Sequence, residues 1–137
     1  MALIIDASVA IAWAIEAQAN ELTRASLVSV IADGFIAPHH FPIEVAHGLL
    51  RAEQRHRASR NDNDIFLLDL KKLTMRLDEP VDLERLDQIV TLGRRYMLSG
   101  YDAAYLELAL RTGLPLATRD AALVRAAKAA GVALFSA

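Results

Sequence analysis

The sequence has 137 residues, of which 54% are hydrophobic and 23% are charged, and its formal net charge is −2. These values suit one globular domain over residues 1–137 and exclude a disordered chain, and the lack of cysteine excludes disulfides and thiolate metal sites. No apolar run is long enough to span a membrane and the N-terminal residues lack a basic leader, so we expect a cytoplasmic protein.

Short apolar runs alternate with segments of helical periodicity in the first half of the chain. Asn20 is a favourable N-cap residue, and Gly34 is typical of a helix end. The predicted elements are a strand over Leu3–Ile5, a helix over Ser8–Glu16, a helix from Asn20 to Asp33, a strand over Phe35–Ala37 and a helix from Ile43 to about Arg57.

The same alternation continues in the second half, where the polar run Asn61–Asp64 marks a helix start. The predicted elements are a helix over Ile65–Leu77, a minimal strand at Val81, helices over Leu83–Leu98 and Tyr101–Arg111, a strand over Leu114–Thr118, a helix over Ala121–Ala130 and a strand over Val132–Phe135. Short apolar strands between helices predict an α/β protein, an α/β/α sandwich with a short-stranded and mainly parallel central sheet.

Charge is unevenly distributed along the chain. Residues 1–50 carry five acidic residues and one basic residue, whereas residues 51–76 carry seven basic and four acidic residues. A solvated helix face is the simpler interpretation of the basic stretch, and contact with a polyanion is the alternative. A pI of about 6.1 argues against a dedicated duplex-DNA binder but leaves open an enzyme that holds a nucleic acid briefly.

Four carboxylates stand where a parallel sheet would bring them together. Asp6 directly follows the first strand and Asp120 follows the Leu114–Thr118 strand, and the carboxyl ends of parallel strands share one edge. Glu44 and Asp102 each lie in the first turn of a predicted helix, from which side chains can reach that edge. Taken singly, each acid is also explained as a helix cap or as a complement to a helix dipole.

Convergence of these carboxylates would have an electrostatic cost. Two unit charges about 4 Å apart repel by about 4 kcal/mol at an effective dielectric of roughly 20, so a divalent cation or a shared proton must accompany them. Ligands that offer only oxygen suit Mg²⁺ or Mn²⁺ better than Zn²⁺, and such ions support phosphodiester hydrolysis.

With these residues in place, the whole chain resembles the PIN-domain ribonucleases, specifically the VapC toxins of toxin–antitoxin pairs. The resemblance rests on four segments that occur in the family's order, namely Leu3–Ala10, Pro42–Ala46 leading to Leu49, Tyr101–Leu106 and Leu116–Asp120. The sequence departs from the family at His47, where asparagine is common, and at the pair His39 and His40, where the loop is usually less polar. We expect His47 to be a tolerated helix residue and the histidine pair to be exposed.

The resemblance implies an endoribonuclease that depends on Mg²⁺, with Mn²⁺ as the alternative ion, and that cleaves RNA with a metal-activated water. The metal-binding and catalytic carboxylates would be Asp6, Glu44, Asp102 and, often through water, Asp120. Ser8 and Thr118 would be hydroxyl partners at the edge of the site, although ordinary capping explains them equally well. RNA would be contacted by Arg51, Arg55, Arg57 and above all Arg119.

The resemblance also implies a cognate VapB-type antitoxin and a homodimer. An amphipathic antitoxin segment would lie in an apolar groove and direct a basic side chain at the acids. The residues that could line this groove are Trp13, Ile15, Leu27, Leu49 and Leu50. The same residues also suit an ordinary hydrophobic core. A catalytically inactive module on the same fold is the alternative function. Phosphoryl-accepting receivers and haloacid-dehalogenase-type phosphatases fit poorly, because no lysine follows a late strand and Ser8 occupies the place of a second aspartate.

Overall fold

The computed structural model describes residues 1–15 and 18–137. In this part of the chain the elements are β1 (Leu3–Ile5), α1 (Ala7–Ala14), α2 (Glu21–Asp33), β2 (Phe35–Ala37), α3 (Phe41–Gln54), α4 (Arg60–Leu70), β3 (Met75–Leu77), α5 (Leu83–Tyr96), α6 (Gly100–Thr112), β4 (Leu116–Ala117) and α7 (Ala121–Ala130). Of the helices described, none has the length and apolarity needed to cross a membrane.

The four strands form one parallel sheet in the order β3-β2-β1-β4. Side chains alternate across this sheet, as the period of a strand requires. Leu3 and Ile5 belong to a core shared with α1, α2, α3 and α4, while Ile4 belongs to a second core shared with α6 and α7, against which α5 packs. Helices therefore cover both faces, which confirms the predicted α/β/α sandwich.

The prediction of one helix over Ile65–Leu77 is wrong. Helix α4 begins five residues earlier, where the Ser59 hydroxyl accepts a hydrogen bond from the Asp62 N–H at 3.0 Å, and it ends at Leu70. Met75–Leu77 instead forms β3, the edge strand that pairs with β2. This strand is largely exposed and has no apolar run, so only its pairing with β2 reveals it.

Several predicted ends also shift. The Val132–Phe135 strand is reduced to one parallel bridge between Leu116 and Leu134, and no strand forms at Val81, a described residue. Helix α5 ends at Tyr96 rather than Leu98, because Met97 adopts a left-handed conformation with φ 55°. Helices α1 and α3 begin and end earlier than predicted, and Glu16, the predicted end of the first helix, lies outside the described residues.

The topology places two strand ends side by side. Strands β1 and β4 are neighbours, with Ile5 opposite Ala117, and the Asp6 N–H donates to the Ala117 carbonyl at 3.0 Å. The residues that follow these strands, Asp6 and Thr118, are therefore adjacent, although they are far apart in the sequence. This edge of the sheet holds the candidate site.

Candidate functional site

One cavity of about 590 Å³ lies at the carboxyl edge of the sheet. Its lining includes all four carboxylates selected from the sequence, which are Asp6, Glu44, Asp102 and Asp120. They come from the end of β1, from the first turns of α3 and α6, and from the residue that precedes α7. The structure thus brings the four acids together, and their role as metal ligands stays a prediction.

Asp6 is the most buried member of the cluster, with 4% of its surface exposed. Its Oδ2 accepts hydrogen bonds from Ser8 Oγ and Thr118 Oγ1, both at 2.7 Å. Burial raises the pKa of Asp6, as do the charges of Glu44 and Asp120, while the two hydroxyl bonds oppose this shift. Ser8 and Thr118 therefore hold one carboxylate in a fixed position and favour its charged form.

Glu44 is held by a tyrosine that the sequence analysis did not select. Its Oε1 accepts a hydrogen bond from the Tyr105 hydroxyl at 2.9 Å, and the same hydroxyl accepts one from the Ala7 N–H at 3.3 Å. Tyr105 is fully buried, and burial raises the pKa of its phenol, so the group stays protonated and can donate. One side chain of α6 thus connects the start of α1 to Glu44 of α3.

Asp102 and Asp120 lie near helix starts but differ in their bonding. Asp120 caps α7, because its Oδ2 accepts a hydrogen bond from the Leu123 N–H at 2.8 Å. In α6 the cap is Ser99, whose hydroxyl oxygen accepts a hydrogen bond from the Asp102 N–H at 3.1 Å. Burial and the charges of Asp120, Asp6 and Glu44, in that order, raise the pKa of Asp102 to about 6.

The donor set fits a hard divalent cation. Asp6 Oδ1, Glu44 Oε2 and Asp120 Oδ1 accept no hydrogen bond within the described chain, because the second oxygen of each takes all the bonds found. Among residues 1–15 and 18–137, however, no three acidic or histidine side chains already enclose a metal position. The cavity therefore offers free oxygen ligands, which suit Mg²⁺ or Mn²⁺.

The three histidines at which the sequence departs from the family pattern have different surroundings. His39 and His47 are exposed, and His47 lines the carboxylate cavity. The expectation of an exposed pair is wrong for His40, whose Nε2 is buried 2.9 Å from Glu44 Oε1, with its ring against Tyr101 and Tyr105. This contact does not meet the geometry of a hydrogen bond, whereas the Tyr105 hydroxyl donates one to the same Oε1.

A second, smaller recess of about 250 Å³ adjoins the cavity. The two share Ser8, Ile11 and Gly48 in their linings. The second recess, which we call the arginine recess, is also lined by the four arginines that the sequence analysis assigned to RNA, namely Arg51, Arg55, Arg57 and Arg119. All four are exposed, so they are available to a ligand.

The apolar residues selected as groove candidates do not form one groove. Trp13, Ile15 and Leu27 line a groove of about 590 Å³ that is also bordered by α4. Leu49 and Leu50 line a separate groove between α3 and α4. Ile15 and Leu49 are buried, and the Trp13 indole N–H donates to the Thr23 carbonyl at 2.9 Å.

The sequence analysis missed Tyr105 and His40 as parts of the site. A signal for Tyr105 was present, since it lies three residues after Asp102 within the apolar run of a predicted helix. A tyrosine that is buried in this way needs a partner for its hydroxyl group, and Glu44 is that partner. No comparable signal marked His40, because a histidine in a loop before a helix is usually exposed.

Comparisons with known proteins agree with this architecture. The family model of the PIN domain matches residues 3–129, and no curated protein matches the sequence. The crystal structure of PAE2754 from Pyrobaculum aerophilum is similar with a TM-score of 0.70 and 21% identity, over 92% of this chain and 84% of that one. FitAcB from Neisseria gonorrhoeae is similar with a TM-score of 0.58 and 24% identity, over 98% and 96% of the two chains. At these identities the two structures show a shared fold.

Proposed function

Because this chain belongs to the PIN-domain family, whose members are generally nucleases, we propose that it is an endoribonuclease that depends on Mg²⁺ or Mn²⁺. The observation that carries the proposal is the convergence of four carboxylates from four separate segments on one cavity. Acids brought together in this way raise the pKa of one another, and a bound divalent cation removes that repulsion.

Asp6, Glu44, Asp102 and Asp120 are the residues that would hold the ion. When bound, it supplies Lewis-acid activation of a water and neutralises charge on the phosphate under attack. Ser8, Thr118 and Tyr105 orient the ligands by the hydrogen bonds described above. The same carboxylates would accept the proton that the attacking water loses.

The substrate is proposed to be RNA, which the protein would bind through its phosphates. Arg51, Arg55 and Arg119 line a recess that shares a wall with the carboxylate cavity. Guanidinium groups form paired hydrogen bonds with phosphate oxygens, so these side chains could hold the strand while a neighbouring phosphodiester is cut.

We further propose a VapC-type toxin that works in the cytoplasm as a homodimer and is inhibited by a VapB-type antitoxin. The groove lined by Trp13, Ile15 and Leu27 is the candidate site for an amphipathic antitoxin segment. A basic side chain from this segment would neutralise the four carboxylates and compete with the metal ion.

The nuclease proposal is tested with purified Asp6→Asn and Asp102→Asn variants on single-stranded RNA with Mg²⁺ or Mn²⁺. Loss of a metal ligand should reduce cleavage by about 100-fold or more, because mutation of a mere partner of a ligand already costs about 10- to 100-fold. EDTA should abolish cleavage by the wild-type protein. Expression of the wild-type protein should arrest bacterial growth, and expression of Asp6→Asn should not.

Asp87→Asn is the matched control, because it removes an exposed carboxylate on α5 that does not line the cavity. This variant should cleave RNA at the wild-type rate. Undiminished cleavage by both Asp6→Asn and Asp102→Asn would eliminate the proposed site. Metal titrations without any binding, together with inactive wild-type protein, would favour the inactive module on the same fold.

A further inference from the structure

We propose that the arginine recess is a binding site for one internal phosphodiester of single-stranded RNA, distinct from the phosphodiester that is hydrolysed. This inference rests on the proposed function and deepens it, since it assigns a separate phosphate position to the substrate. The ligand is an uncut phosphate of the bound strand, recognised by its charge and shape and independently of the base sequence.

The charge of the recess is the first argument. None of its four arginines forms an ion pair with a described acidic residue, and no described carboxylate lines the recess. Other arginines of the chain behave differently, because Arg60, Arg85 and Arg111 each pair with a carboxylate. The positive charge collected in the recess is therefore available to an anion from outside.

The shape of the recess is the second argument. A volume of about 250 Å³ suits a single phosphate group with its sugar edges and is too small for a helical peptide. Helices α1 and α3 touch beside the recess, since a Cβ added at Gly48 would lie 2.2 Å from Ile11 Cδ1. Gly48 thus permits the close approach of the two helices, and both residues line the recess.

The position of the recess is the third argument. Ser8, Ile11 and Gly48 separate it from the carboxylate cavity and line both spaces, so one strand could pass from one to the other. Arg51 lies seven residues after Glu44 on α3, and a rise of about 1.5 Å per residue places it about 10 Å further along the helix. An RNA chain that reaches both sites must therefore place two different phosphates in them.

Arg119 is fixed at the border of the two sites. Its Nη1 donates to Gln18 Oε1 at 2.9 Å, and its backbone N–H donates to Ser8 Oγ at 3.3 Å. The same Ser8 hydroxyl donates to Asp6. The backbone of Arg119 and the most buried carboxylate are thus joined through one hydroxyl group, which places Arg119 beside the carboxylate cavity.

The experiment measures binding without cleavage, so that it does not depend on nuclease activity. Fluorescence anisotropy in EDTA follows binding of a short single-stranded RNA with a 5′-hydroxyl end to the wild-type protein and to Arg51→Ala/Arg55→Ala. The double variant should bind at least about tenfold more weakly, because it loses charge-assisted hydrogen bonds to a phosphate. Its affinity should also depend less steeply on salt concentration.

A series of oligonucleotides with one uncharged methylphosphonate linkage locates the phosphate. One linkage should weaken binding to the wild-type protein by a similar factor and have little further effect on the double variant, since both changes remove the same contact. The matched control is Arg94→Ala/Arg125→Ala, which removes two exposed arginines outside the recess. This control should keep the full methylphosphonate effect.

Equal losses in the two double variants would overturn the inference, because they would show a general charge effect. Methylphosphonate effects of the same size in the wild-type protein and in Arg51→Ala/Arg55→Ala would overturn it as well. So would binding that depends on a 5′-terminal phosphate and not on an internal linkage. An inactive protein that passes the binding test would contradict the proposed nuclease and leave the phosphate site standing.

Discussion

At the scale of single residues, the site depends on hydroxyl groups that orient carboxylates. Ser8 and Thr118 hold Asp6, and Tyr105 holds Glu44. In each case the donors leave the second carboxylate oxygen without a hydrogen bond from a described residue. Metal sites generally need such outer partners, because a ligand that can rotate binds its ion less tightly.

Tyr105→Phe should weaken metal binding and cleavage by about tenfold while the ring keeps its packing. The same change should cost about 1 kcal/mol of unfolding free energy, because the buried Ala7 N–H loses its acceptor. Metal titration calorimetry, RNA cleavage and denaturant unfolding measure the three effects. The control is Tyr96→Phe, in which the lost hydroxyl makes no hydrogen bond within the described chain. A variant with wild-type metal affinity would show that Glu44 needs no positioning.

The sequence was sufficient to select the four carboxylates and, through the family resemblance, the hydroxyl partners of Asp6, but not the tyrosine that binds Glu44. The acids could be chosen because each stands at a strand end or in a first helical turn, and these positions follow from local patterns. Tyr105 reaches Glu44 across the boundary between α6 and α3, and that contact depends on how two helices pack on the sheet. Local patterns hold no information about such packing.

At the scale of secondary structure, the short strands are defined by their neighbours. The buried strands β1 and β2 were predicted with the correct residues because three consecutive apolar residues leave little alternative. Strand β3 was missed because its pattern of exposure is that of an edge, and its place depends on the turn before β2. Gly34 forms that turn, with φ 76° and ψ −175°, a region that is essentially restricted to glycine.

Gly34→Ala should therefore destabilise the protein by about 3 kcal/mol, through backbone strain and a collision with its neighbour. A Cβ at this position would lie 2.7 Å from the carbonyl oxygen of Thr74, next to β3. Gly113→Ala is the control, since φ is 71° there but no atom lies within 4 Å of an added Cβ. It should cost only about 1–2 kcal/mol. Equal losses in urea unfolding would show that the contact with Thr74 has no effect.

An ion-pair network joins the end of β3 to α5 and α6. Asp78 Oδ2 lies 2.8 Å from Arg85 Nη2 and 2.5 Å from Arg111 Nη2, and both arginines also contact Glu107. Burial alone would raise the pKa of Asp78. Arg111, through its hydrogen bond and charge, and Arg85, through its charge, have the larger combined effect and lower this pKa. Asp78 is therefore deprotonated more readily in the folded state than in the unfolded state.

The lowered pKa of Asp78 predicts the sign of an acid effect. Its stabilisation should be fully present above the usual value of 3.8 and be lost as the pH falls through the lowered pKa. Asp78→Asn should lose about 2 kcal/mol at pH 7 and show a flatter decline of unfolding free energy below pH 4. Asp69→Asn, which breaks an exposed pair with Lys72, should lose less than about 1 kcal/mol. Parallel acid profiles for wild type and Asp78→Asn would contradict the prediction.

At the scale of the whole molecule, acidic and basic side chains are gathered in two adjoining spaces. Four carboxylates converge on the cavity and four arginines on the adjoining recess, although the net charge of the chain is only −2. The pKa values of Asp6 and Asp102 are raised, so these two groups bind more protons in the metal-free folded state than in the unfolded state. Its stability should therefore decline as the pH rises through about 6, the pKa of Asp102.

A divalent ion should reverse this decline. At roughly 100 times its dissociation constant, Mn²⁺ should add about 2.7 kcal/mol at pH 8 and much less at pH 5, where protons compete for the carboxylates. Thermal unfolding with Mn²⁺ or EDTA at the two pH values measures the difference. Asp6→Asn should lose most of the gain at pH 8. An equal gain at both pH values would show that the ion binds elsewhere.

Helix α3 carries Glu44 near its start and Arg51 in its last turn, and this has a consequence for the products of the proposed reaction. A rigid helix sets a fixed distance of about 10 Å along α3 between the residue at the site of cleavage and the residue that binds the second phosphate. A substrate must therefore be long enough to place one phosphate at each of them at the same time. Exhaustive digestion should then stop at short oligomers, because smaller fragments cannot occupy both positions at once.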